Sequence, residues 1–328
     1  SIRGIIFMLT NSDIKDAFFW LLGREPESQK VYESFLKLED RISLRDAILQ
    51  SQEFQARQKK INAVTVAHEP SISDLEESKL IFLHIPKTGG TTVHSILSSH
   101  FDSSKVCPAK LNTLGDFTAT ELSTFSFFSG HFSVASCHLI PGLKKKLVTF
   151  IREPQARLRS AYYFWKSHDP SFFSENRLVA LSNELSFVDF LEHMEISKGR
   201  NTYNPYCQLL TSKVPSGDFS YKNGELVLND YDEKLLELSL RELEKFYFVG
   251  FLEHFDDCAF RLLNKLGLAH EGEVKSQMVL SELVKDKNSH FKPVERESEG
   301  KKFQESMILN TYLDSKIYES AIKNIRPS

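Results

Sequence analysis

Lys87 stands two residues ahead of a glycine pair in the segment His84-Ile85-Pro86-Lys87-Thr88-Gly89-Gly90-Thr91-Thr92. That order of residue types makes a set of anion ligands. The lysine supplies a cation, and Thr88, Thr91 and Thr92 supply hydroxyl donors. Gly89 and Gly90 allow a backbone turn with positive φ and close approach to a ligand, while the N–H groups of a helix start beyond them point at negative charge. In the nucleoside-triphosphatase loop, GxxxxGK[ST], the lysine follows the second glycine and a hydroxyl takes Mg²⁺. Here Lys87 precedes both glycines, which disfavours a nucleotide kinase and leaves a P-loop-like phosphate site whose lysine arrives from the strand side. A second candidate group follows in Arg152-Glu153-Pro154-Gln155-Ala156-Arg157-Leu158-Arg159-Ser160. Arg152 offers a planar fork to a phosphate and Ser160 a short donor. The alternative is that Arg152 pairs with Glu153 or caps a helix, with Arg157 and Arg159 solvated. His131, which follows Ser129-Gly130, is the best general base because imidazole titrates near neutrality. Its alternative is a satisfied structural histidine, and Glu153 is the reserve base. His84 suits the core, and His94 is expected to face away on its helix.

Each candidate sits beside an apolar run of the kind that makes a central strand. Leu80 to Leu83 and Leu147 to Ile151 are continuous hydrophobic stretches, suited to strands covered on both faces. Strands are expected near 80–84, 126–130, 147–151 and 246–250. Helices are expected near 91–100, 155–167, 187–197, 233–245 and 255–266, with a closing helix at 310–325. This alternation defines an α/β fold with a central parallel sheet flanked by helices. Ligands of such sheets bind at the carboxyl ends of the strands, so Lys87 and Arg152 are expected to converge on one crevice. Residues 1–62 read as a small all-α module in which Gly23 closes the first helix and Ser43 with Asp46 caps the third. Residues 63–78, polar and interrupted by Pro70, read as a linker, and 79–328 as the catalytic domain. Lys275 to Pro293, charged and poorly periodic, reads as a lid or loop.

Taken together, HIPKTGGTT and REPxxRxxS resemble the two nucleotide-binding elements of sulfotransferases that use 3′-phosphoadenosine 5′-phosphosulfate (PAPS). The likeness is greatest to the carbohydrate branch that holds the heparan and chondroitin 2-O- and 6-O-sulfotransferases and their bacterial homologues. SGHF at 129–132, FVGFLEHFDD at 248–257 and NTYLDSKIYESA at 310–321 extend it over roughly residues 79 to 325. The resemblance implies that Lys87, Thr88, Gly89, Gly90, Thr91 and Thr92 hold the 5′ end of PAPS, and Arg152 and Ser160 its 3′-phosphate. It implies Lys87 and His131 as catalytic groups, no metal, and a hydroxyl acceptor on a saccharide. Where uronyl 2-O-sulfotransferases read His-Gly-His, this chain has Ser129 in place of the first histidine. GRNTYNPYCQLL at 199–210 resembles a family region near the acceptor and the nucleotide, where Asn204 or Gln208 is expected to contact substrate. LLGREPES with SLRDAILQSQEF resembles a helical module found beside bacterial glycan-modifying enzymes, which serves either for docking or as a cap on the main domain. A small-molecule or lipid alcohol is the rival acceptor, and a non-catalytic nucleotide-binding protein the rival class.

Composition bounds the partners. A chain of 328 residues with 41% hydrophobic content can bury a large core. Its net charge of −3 lacks the basic footprint of a nucleic-acid binder. Lys144 to Lys146 form a short basic run, suited either to an acidic glycan or to a solvated loop. The four cysteines are widely spaced without a CxxC, as expected of reduced thiols in a cytoplasmic, bacterial protein. No asparagine stands in an N-x-[ST] context, which favours the cytoplasm over the Golgi lumen. The early apolar run Ile5 to Leu9 is too short for a membrane span. Oligomeric state is not expressed in any of these features.

Overall fold

A computed structural model describes residues 9–22, 25–38, 41–55, 78–173, 175–268 and 290–325. The chain divides into two compact units, Ser1–Asp74 and Leu75–Ser328. In the first, α1 (Asn11–Leu22), α2 (Gln29–Phe35) and α3 (Arg41–Leu49) enclose Ile14, Phe18, Leu22, Leu44 and Ile48. Helix α1 starts on a reciprocal cap: the Asp13 N–H donates to the Thr10 hydroxyl at 3.2 Å, and the Thr10 N–H donates to the Asp13 carboxylate at 2.9 Å. The expected cap at Ser43 is corrected, because α3 already begins at Arg41 and Asp46 instead accepts from the neighbouring Arg45 guanidinium at 2.6 Å. Gly23 and all but the last residue of the expected linker lie outside the described residues.

The second unit is α/β, as the strand and helix periods predict. Its strands β1 (Lys79–Leu83), β2 (Phe127–Gly130) and β3 (Lys145–Ile151) alternate with α4 (Gly90–Ser98), α5 (Ala119–Thr124) and α6 (Val134–Cys137). After β3 come α7 (Pro154–Ser167), α8 (Arg177–Glu184), α9 (Phe187–Glu192) and α10 (Pro205–Thr211). The hairpin β4 (Phe219–Lys222) and β5 (Glu225–Leu228) leads to α11 (Asp230–Glu244), β6 (Phe248–Phe251), α12 (Phe255–Leu266) and α13 (Lys301–Ile325). The main sheet runs β2-β1-β3-β6 with every neighbouring pair parallel. Ile81, Phe82, Phe127, Phe128, Val148 and Phe150 are fully buried in it, which explains why its strands read as unbroken apolar runs. A second core lies among α7, α8, α9 and α13, where Phe187 and Phe303 stack with centroids 4.2 Å apart.

Two elements are not drawn by the sequence as they stand, and a third lies mostly beyond what the structure describes. The closing helix begins at Lys301 rather than near Asn310. The hairpin β4–β5 turns on Asn223 and Gly224, both at positive φ (54° and 82°), as a two-residue hairpin turn demands. Most of the expected lid lies outside the described residues, but its end is tied down: Asp169 N–H donates to the His290 carbonyl and Lys292 N–H to the Ser167 carbonyl, at 2.9 and 2.7 Å.

Candidate active site

Parallel register brings the carboxyl ends of three strands to one edge. Leu83 of β1 lies opposite Gly130 of β2 and Thr149 of β3. The residues that leave those ends are therefore neighbours: His84 to Lys87 after β1, His131 after β2, Arg152 after β3. Lys87 and Arg152, far apart along the chain, meet there, with Arg152 Nη1 3.5 Å from the Lys87 carbonyl.

The loop after β1 is built around two backbone constraints. Lys87 holds φ at 71° and Gly89 at 80°; for a lysine this left-handed conformation costs about 1–2 kcal/mol, and it turns the chain back toward α4. Gly90 opens α4, and a Cβ there would lie 1.9 Å from the His84 ring. Only a bare α-carbon lets the helix start approach β1 so closely. Thr88 is fully buried and donates its hydroxyl to the Ile85 carbonyl at 2.8 Å. Its side chain is thus part of the turn rather than of an open concavity, a correction to its role as a hydroxyl donor. Thr92 is buried and Thr91 exposed.

The electrostatics are those of a cationic crevice. Lys87 Nζ rests 3.7 Å from the centroid of the Phe164 ring, and burial, assisted by the nearby Arg152 charge, lowers its pKa to about 8. His84 is pushed down to about 3, mainly by burial and then by His131, His94, Lys87 and Lys110. It is neutral at physiological pH. His131 donates Nδ1–H to the His84 carbonyl at 2.7 Å. With that nitrogen committed as donor, the neutral ring carries its lone pair on Nε2, the form a general base needs.

Glu153 is neither a free base nor a partner of Arg152. Its carboxylate caps α7, accepting from the Gln155 and Ala156 N–H groups at 2.9 and 2.6 Å. With Pro154 in the first turn, this explains why the helix starts there. Ser160 lies half-buried on α7, two turns beyond that cap. Arg157, expected in one alternative to be solvated, is completely buried; it donates Nη2 to the Asn201 carbonyl at 3.0 Å, and burial lowers its pKa. Arg159 pairs with Glu299 at 2.8 Å.

Several expected positions are corrected by geometry. His94 does not face away: its ring stacks near Phe127 and its Nε2 lies 3.2 Å from Lys110 Nζ. Asn204 and Gln208 do not face an acceptor. Asn204 is fully buried and Gln208 nearly so, with Gln208 donating to the Tyr203 carbonyl at 2.6 Å. The Lys144–Lys146 run lies at the amino end of β3, a strand of seven residues. A strand of that length separates its two ends by about 20 Å, so the run does not face the same crevice. Lys145 there donates to the Cys137 carbonyl.

Sequence reasoning missed the residues that hold the β3–α7 turn. The Tyr206 hydroxyl accepts from the Arg152 N–H at 3.0 Å and donates to the Arg152 carbonyl at 2.6 Å. Glu253 accepts from the Glu153 N–H at 2.9 Å. Behind Tyr206, buried Asp314 accepts from the Tyr206 and Cys207 N–H groups at 2.9 and 3.0 Å, and burial pushes its carboxyl up to about 7. Each partner is remote in sequence, so no local pattern could have signalled it.

Among the described residues no cluster of three or more His, Cys, Asp or Glu could hold a metal ion, and no helix is long and apolar enough to cross a membrane. All four cysteines are buried free thiols. A cavity of about 960 Å³ lies along edge strand β6 beside Tyr247, Cys258 and Arg261, and none of Lys87, His131, Arg152 and Ser160 lines it.

A glycine turn into a helix, two cations from separate strand ends and a histidine whose Nδ1–H is committed to a carbonyl make an arrangement suited to an anionic ligand. The family model described as the sulfotransferase family matches residues 72–320, and the chain belongs to that family. It is 33% identical over 95 residues to a protein-tyrosine sulfotransferase of Arabidopsis thaliana. The matched stretch covers 29% of this chain and 18% of that relative's length.

Proposed function

We propose that the protein transfers a sulfuryl group from PAPS to a hydroxyl of a saccharide, without a metal, by in-line displacement. The observation that carries this reading is the meeting of Lys87 and Arg152 in a crevice where burial and mutual repulsion already depress the lysine; a nucleotide with anionic groups at its 3′ and 5′ ends offsets both. PAPS supplies an activated sulfuryl group on a phosphate leaving group. Lys87, with the N–H groups at the start of α4, holds the 5′ end, and Arg152 and Ser160 hold the 3′-phosphate.

His131 takes the acceptor proton on Nε2 as the acceptor oxygen bonds to sulfur, while its Nδ1–H stays on the His84 carbonyl. Lys87 donates to the phosphate oxygen as the bond from that oxygen to sulfur breaks, an interaction that strengthens as charge develops. The saccharide is favoured by the likeness of HIPKTGGTT and REPxxRxxS to the carbohydrate branch. A phenolic hydroxyl is the second reading, favoured by the Arabidopsis relative's action on protein tyrosine.

Incubation with radiolabelled PAPS and a panel of glycans, small alcohols and tyrosine peptides tests this. Label is expected on a glycan, and His131→Ala is expected to lower the transfer rate by about 10²–10⁴-fold. Wild-type turnover in His131→Ala removes that histidine from the mechanism, and label on peptide alone replaces the saccharide with the phenol.

A further inference from the structure

Arg152 leaves β3 on a short turn, and the side chain can meet a phosphate only if that turn is held still. Two latches grip it. The Tyr206 hydroxyl bonds to both the N–H and the carbonyl of Arg152, at 3.0 and 2.6 Å. Glu253 takes the N–H of the next residue, Glu153, at 2.9 Å. Both latches are braced by α13. Asp314 receives the Tyr206 and Cys207 N–H groups and so fixes the start of α10, and the Tyr318 hydroxyl donates to Glu253 at 2.8 Å.

The brace itself is locked into α10. Asn204, at φ 40°, donates its N–H to the Asn310 carbonyl at 2.7 Å, while its side-chain oxygen accepts from the Leu313 and Asp314 N–H groups at 2.9 and 3.1 Å. The Asn204 side chain thus bonds to backbone N–H groups in the middle of α13 and ties that helix to the start of α10. This clasp holds Asp314 against the first turn of α10, where it meets the Tyr206 and Cys207 N–H groups. Tyr206 is 1% exposed, so no solvent competes for its hydroxyl.

We propose that Tyr206 and, more weakly, the Tyr318–Glu253 pair are positioning residues that aim Arg152, and that through it they set the preference of the site for a 3′-phosphorylated nucleotide. The inference rests on the reading of Arg152 as the 3′-phosphate ligand. Tyr206 does not touch the nucleotide; it acts by holding the peptide groups on either side of the Arg152 α-carbon. Its loss therefore weakens recognition of the 3′-phosphate and leaves recognition of the 5′ end unchanged.

The test is the ratio of dissociation constants for adenosine 5′-monophosphate and adenosine 3′,5′-bisphosphate, measured by titration calorimetry on the full chain. Wild type is expected to prefer the bisphosphate. Tyr206→Phe keeps the ring and removes both hydrogen bonds; it is expected to reduce that preference about tenfold with the monophosphate constant unchanged. Tyr318→Phe, which removes the hydroxyl that donates to Glu253, is expected to reduce it about threefold and serves alone should Tyr206→Phe fail to fold. Exposed Tyr221→Phe, on β4, should leave the ratio as it is. A wild-type preference that survives intact in the folded variants overturns the inference alone. Equal wild-type affinity for the two nucleotides overturns instead the assignment of Arg152 on which it stands.

Discussion

Lys87 carries a charge that its surroundings destabilise. Its ammonium is half-buried against Phe164 and repelled by Arg152, which brings the pKa from 10.5 down to about 8. The charged form is therefore less stable in the free protein than in water, though still the major one at neutral pH, and it is stabilised once an anion arrives. The sign follows: below pH 8 the lysine is already protonated and binding carries no proton penalty, whereas above it each unit of pH weakens binding further, until the complex itself deprotonates. The dissociation constant for adenosine 3′,5′-bisphosphate is expected to rise about tenfold from pH 7 to pH 9. Lys87→Ala should flatten that rise, weaken binding modestly and lower turnover by about 10²–10³-fold or more. Calorimetry at the two pH values checks the first part, and single-turnover label transfer the last. A rise of the same size in Lys87→Ala would assign the titration to another group.

Strand ends and helix starts do the positioning, and this scale separates what the chain discloses from what it conceals. Lys87, Arg152 and His131 were legible because each directly follows a recognisable apolar strand, and parallel strands deliver such residues to one edge. The hairpin was also within reach: Asn223-Gly224 between short alternating runs is a strong local signal. Asn204 and Gln208 were misplaced for a physical reason. Whether a polar residue faces solvent or a buried backbone depends on what packs over it: for Asn204 that is α13, more than a hundred residues away along the chain, and Gln208 turns back onto the Tyr203 carbonyl. Tyr206 and Asp314 are hidden for the same reason. The closest element contact makes its own prediction. Because a Cβ on Gly90 would sit 1.9 Å from the His84 ring, Gly90→Ala must displace that ring or the start of α4. An overpacking loss of about 1–3 kcal/mol is expected, with most of it removed when His84→Ala opens the space. A double-mutant cycle by urea unfolding measures this; additive losses would mean that the two residues do not collide.

At the scale of the whole molecule, the two compact units divide the work unevenly. The helical unit has a separate small core around Ile14, Phe18 and Ile48, whereas β1, β3, α4 and α7, with the latches on α10 and α13, all belong to Leu75–Ser328. Every residue assigned to the nucleotide is in that second unit, and the family match, residues 72–320, begins almost where the unit does. Nucleotide binding is accordingly expected of the second unit, and recognition of a large acceptor is the property the first is free to supply. Removing residues 1–70 is expected to leave the affinity for adenosine 3′,5′-bisphosphate within about twofold and its stabilising effect intact, about 2.7 kcal/mol at a hundredfold excess over the dissociation constant. Thermal shift and calorimetry on the truncated chain check both quantities. Insoluble protein, or loss of nucleotide binding, would make the helical unit a cap that the catalytic unit needs; preserved binding with transfer lost only to long glycans would make it an acceptor-docking module.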